Sequence, residues 1–73
     1  MVADKISTND IRGIGKFGIL EVTLPNYRAC MSAKNLVTYV KKMYPREDGQ
    51  TYCIRINRDT NTITIKAVDR LEN

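Results

Sequence analysis

The spacing of apolar residues changes period several times along the chain, and each change marks an element. From Phe17 to Leu24 the period is two. Leu20, Val22 and Leu24 fall on one side and Ile19, Glu21 and Thr23 on the other, as in a half-buried strand. Pro25-Asn26 reads as a tight turn, because proline fixes φ and asparagine tolerates the left-handed region. Tyr27 to Met31 then reads as a returning strand, with Tyr27, Ala29 and Met31 inward and Arg28 and Cys30 outward. Ser32 is a suitable N-cap, and behind it Ala33, Leu36, Val37, Val40, Met43 and Tyr44 fall on one stripe. This spacing predicts a helix over 32–44, stopped by Pro45, with Lys41 and Lys42 complementing its C-terminal dipole.

Two further alternating runs follow the polar turn Arg46 to Gln50. In Thr51 to Arg58, Tyr52, Ile54 and Ile56 oppose Cys53, Arg55 and Asn57; in Thr62 to Val68 the inward set is Ile63, Ile65 and Ala67. β-Branched runs separated by Asp59-Thr60-Asn61 are a hairpin signal. Together these elements predict an α+β domain over 17–68. It is a ββαββ chain whose small antiparallel sheet is covered on one face by one helix, with the other face wet. Ahead of it, residues 1–16 hold no stable period, and Ile6, Ile11 and Ile14 are scattered among turn formers. They read as a mobile basic arm whose removal should leave the core intact. Residues 69–73 read as a charged tail.

Composition narrows the chemistry. With 73 residues the chain can bury one modest core, not a two-domain cleft. No apolar run is long enough to span a bilayer, and the first residues lack the layout of a signal peptide, so a cytoplasmic protein away from membranes is expected. Histidine is absent, which removes the commonest general base and the Ser-His and Cys-His nucleophile pairs. Cys30 and Cys53 alone cannot complete a tetrahedral zinc set and are expected as reduced, partly buried thiols. Gly13-Ile14-Gly15-Lys16-Phe17-Gly18 matches the dinucleotide fingerprint in letters, but a loose segment precedes it and a strand follows, the reverse of what pyrophosphate binding needs. The expectation is a non-enzymatic protein with no catalytic residue, metal or other cofactor.

Charge shifts the expectation toward an anionic partner. Twelve Lys and Arg against eight Asp and Glu leave a net +4. The open sheet face should carry Glu21, Thr23, Arg28, Arg55, Asn57, Thr62, Thr64 and Lys66, with Arg55 and Lys66 close to cross-strand partners. The helix carries Lys34, Lys41 and Lys42 without any carboxylate, and Lys5 and Arg12 lie in the arm. These eight cations (Arg12, Arg28, Arg55, Lys5, Lys34, Lys41, Lys42, Lys66) are the candidate partner-binding residues.

Two readings follow. The hairpin 51–68 could enter a DNA major groove with Arg55, Asn57, Thr62, Thr64 and Lys66, a layout similar to the sheet-plus-helix DNA-binding domains of phage-type integrases. The preferred reading is a module that docks on an acidic surface of a larger protein machine. In its length, loose arm at 1–16 and compact basic body, the chain resembles small phage-encoded regulators of host RNA polymerase. That resemblance implies binding to bacterial RNA polymerase in the host cytoplasm and inhibition or modulation of transcription.

Overall fold

A computed structural model describes residues 3–70. The elements run α1 (Thr8–Arg12), β1 (Ile19–Thr23), α2 (Tyr27–Met43), β2 (Gln50–Asn57) and β3 (Thr62–Asp69). The class is α+β, as expected: a small antiparallel sheet with a helix packed on one face. Among the described residues the sheet has three strands rather than four, in the order β1-β3-β2. The hairpin β2–β3 runs from Gln50 opposite Asp69 to Asn57 opposite Thr62, and β1 adds to the far side of β3 through Ile19–Lys66 and Val22–Ile63.

The missing strand is the first part of α2. Residues 27–31 are helical, and the N-cap is Asn26, whose side-chain oxygen accepts from the Ala29 amide at 2.9 Å. Ser32 lies inside the helix. The helical period decides the inward set: Cys30, Ala33, Val37 and Val40 are buried, whereas Tyr27 is exposed. The expected strand faces at 27–31 are therefore reversed for Tyr27 and Cys30. The stripe also ends early, because Met43 and the C-cap Tyr44 are exposed.

The largest departure is the N-terminal segment, which is folded onto the core. Ser7 and Asp10 form a capping box: the Ser7 hydroxyl accepts from the Asp10 amide at 3.2 Å, and the Asp10 carboxylate accepts from the Ser7 amide at 3.0 Å. The backbone bond from Ser7 is the main reason the Asp10 carboxyl titrates below its ordinary range. Ile6 precedes the cap and Ile11 is the fourth helical residue, the two positions joined in a hydrophobic staple, and both are buried with Ile14. The Ala3 amide also donates to the Thr23 carbonyl at 3.1 Å. Five helical residues cannot hold a helix by local bonds alone, so burial of these isoleucines is what keeps α1.

The glycine-rich stretch is a defined turn rather than a loose linker. The Gly18 amide donates to the Gly15 carbonyl at 2.8 Å, and a Cβ on Gly18 would stand 2.9 Å from that same oxygen. The preceding Phe17 takes φ +58°, a conformation that costs a non-glycine residue about 1 kcal/mol or more. Its amide donates to the Gln50 side chain at 2.8 Å. Gln50 is fully buried, and its other end donates to Asp69 at 3.0 Å, tying the turn to both strands at the open end of the hairpin. Asp69 thus closes β3 instead of opening a tail. Residues 71–73, the rest of that expected tail, lie outside the described residues.

Candidate functional site

The pleat and register generate the open sheet face row by row. Ile19, Lys66 and Cys53 form one row; Glu21, Thr64 and Arg55 the next; Thr23, Thr62 and Asn57 the third. Directly opposed residues share a face, so this side is polar and threonine-rich. Thr23 and Thr62 hydroxyls meet at 3.1 Å, and Thr64 donates to Glu21 at 3.5 Å. Arg55 and Lys66 are not opposed; Arg55 faces Thr64, Lys66 faces Cys53, and the two cations are diagonal. Exposed Ile19 lies opposite Lys66 at one end of the face.

The other candidate cations lie on the opposite side of the domain. Arg28, expected on the sheet, is a surface residue of α2 together with Lys34, Lys41 and Lys42, all exposed. Arg12 ends α1 with its guanidinium 4.5 Å above the Tyr44 ring, and Lys5 is exposed just before α1. Because α2 covers the inner face of the sheet, the eight cations form two groups instead of one patch. Arg55 and Lys66 belong to the open face, and the other six to the helical layer.

The helical side has the composition of a protein-contact surface. Tyr27, Tyr39, Met43 and Tyr44 are all exposed, and Tyr39 and Tyr44 pack edge to face at 6.4 Å between ring centroids. Tyrosine, methionine and arginine are the types enriched at protein interfaces. α2 presents exposed tyrosines and a methionine among four cations, Arg28 included, and contains no Asp or Glu.

One basic residue escaped the sequence reading. Arg58 follows β2, and its guanidinium stacks 4.5 Å over the Tyr27 ring. Together with Met31, Lys34, Ile54 and Ile56 these two residues line a groove of about 260 Å³ between α2 and the edge strand β2. The groove is invisible when 27–31 is taken as a strand, because Tyr27 and Met31 then belong to the sheet. Arg46, by contrast, is structural. It pairs with Asp48 at 2.6 Å and donates to the Ile14 carbonyl at 2.6 Å, locking the N-terminal segment to the turn before β2. The pairing lowers the Asp48 carboxyl to about 2 and raises Arg46 beyond its usual range.

Nothing resembling a catalytic constellation is assembled among the described residues. Cys30 is buried in the core, where loss of water raises its thiol pKa, and Cys53 is exposed on the other face, so the two are free thiols. No group of three His, Cys, Asp or Glu residues among them could hold a metal ion. No helix among them is long and apolar enough to cross a membrane. No family model, curated protein or solved structure matches the chain.

Proposed function

We propose that this protein is a small non-enzymatic docking module that uses its helical side to bind an acidic surface of a larger protein. The carrying observation is the exposed side of α2, which combines Arg28, Lys34, Lys41 and Lys42 with Tyr27, Tyr39 and Met43 and includes no carboxylate. Cations around half-exposed aromatic anchors supply both electrostatic steering and desolvated contact area. A surface serving solubility alone would mix both signs of charge.

The partner class follows from the resemblance to phage regulators, whose implied target is bacterial RNA polymerase in the host cytoplasm, with inhibition or modulation of transcription as the outcome. Of the three features behind that resemblance, the loose arm is lost, since residues 3–16 are folded. Chain length and the compact basic body remain. The test is affinity capture from a nuclease-treated bacterial lysate, in which polymerase subunits should be retained.

DNA binding by the open face is the second reading, favoured by the placement of Arg55, Asn57, Thr62, Thr64 and Lys66 on one side of the sheet. Glu21 lies in the same row as Arg55 and would face the phosphates or base edges, which weakens it. A duplex-binding protein should lose affinity steeply with salt, and the slope should flatten by about two in Arg55→Ala/Lys66→Ala.

A further inference from the structure

β2 is an edge strand, since the sheet runs β1-β3-β2. Half of its backbone N–H and C=O groups bond to β3 and the alternate groups point outward from the sheet; the Gln50 amide is taken by the Asp48 carboxylate at 3.0 Å, so the open edge begins at Tyr52. Exposed strand edges are templates for another strand, and proteins usually blunt them with bulges, prolines or a covering element. β2 is eight residues long, contains no proline and pairs with β3 in unbroken register.

Beside this edge the inner layer is incompletely sealed. Ile54 and Ile56 point to the same side as buried Tyr52, yet both are only half-buried. They floor the groove whose far wall is Tyr27 and Met31 of α2 and whose rim carries Lys34 and Arg58. On the other side of the same strand Arg55 is exposed. A strand laid along β2 would therefore send alternate side chains into an apolar slot and the intervening ones toward Arg55, with Lys34 and Arg58 at the slot's rim.

We propose that the β2 edge and its groove bind an extended acidic peptide segment by strand addition, with alternate apolar side chains entering the groove and the intervening carboxylates meeting Arg55. Charge complementarity selects this occupant. The bordering elements supply Lys34, Lys41 and Arg55, and neither α2 nor β2 contains an Asp or Glu. A second copy of the chain fits poorly, because edge-to-edge pairing of two β2 strands would bring these same cations together. Strand addition gives affinity through backbone bonds and specificity through alternate side-chain pockets. The inference rests on the docking reading and names the segment of the partner that would be gripped.

The probe is a fluorescein-labelled peptide of about eight alternating valine and glutamate residues, comparable in length to β2. Fluorescence anisotropy should show saturable binding, and NMR amide exchange should slow at alternate residues of β2 only. A peptide of the same sequence with alternate N-methylated amides should lose binding, because it cannot pair along an edge. Arg55→Glu, at an exposed position, should remain folded by circular dichroism and bind about tenfold more weakly. Equal binding of the N-methylated peptide would overturn the proposal, as would equal affinity for an oligonucleotide of the same charge. So would protection of β2 that rises with protein concentration alone, which would assign the edge to a second copy. Failure of the peptide with polymerase capture intact removes the edge site and leaves the docking reading standing; failure of both removes both.

Discussion

Ile11→Ala probes the most consequential packing in the molecule. Ile11 is fully buried in a five-residue helix that no local bonding could sustain. Truncating a buried isoleucine to alanine removes transfer free energy and leaves a cavity, typically costing about 2–5 kcal/mol. A chain of this length is expected to have about 4–11 kcal/mol of total stability. The loss is then a large share of the whole. At roughly 4–8 °C per kcal/mol for a domain of this size, even the lower part of that range, about 2–3 kcal/mol, lowers the melting temperature by roughly 10–25 °C. The assay is thermal unfolding followed by far-UV circular dichroism, with Lys5→Ala as an exposed control expected within about 0.5 kcal/mol of the parent. Deleting residues 1–14, which also removes Ile6 and Ile14, should abolish cooperative unfolding. An Ile11→Ala variant melting within a few degrees of the parent would show that α1 is not part of the core.

Other outcomes follow from the same contacts. Gln50→Leu removes the acceptor for the Phe17 amide inside the core and should cost about 1–3 kcal/mol in urea unfolding. Phe17→Gly should raise stability by up to about 1 kcal/mol, because glycine takes the observed positive φ without strain. Asp10 and Asp48 both titrate below the ordinary carboxylate range, so their contribution is complete above about pH 4 and is lost as pH falls through their folded-state values, which for Asp48 is about 2. Melting temperature should therefore drop across that window, and Asp48→Asn should flatten the drop.

The hairpin was readable because β-branched alternation and a polar turn agree over both of its strands, leaving one register that buries Ile63 and Ile65. The middle of α2 was readable for the same kind of reason, since Ala33, Val37 and Val40 admit one face. Its first turns were not. Tyr27, Ala29 and Met31 satisfy a strand period while Cys30 and Ala33 satisfy a helical one, and both Asn26 and Ser32 are capping residues. Only tertiary packing, which buries Cys30, decides between them. At the N-terminus the isoleucines match no long period because they act as a staple and a single helical turn; Ser7 followed by Asp10 was the available signal.

The charged residues of the candidate surface could be found by type but not grouped. Assigning 27–31 to a strand moved Arg28 to the wrong side of the domain and hid Tyr27 and Met31 from the groove. Arg58 was overlooked because it belongs to no periodic face, and its role depends on the Tyr27 ring across the groove.

The most direct test of the docking claim compares the parent with Lys34→Glu/Lys41→Glu/Lys42→Glu in capture from nuclease-treated bacterial lysate. All three residues are exposed, so the variant should keep the parent's fold by circular dichroism. The parent should retain RNA polymerase subunits after nuclease treatment, and the folded variant should not. Loss of every partner from the parent once nucleic acid is digested, together with salt-sensitive duplex binding unaffected by the three reversals, would contradict it.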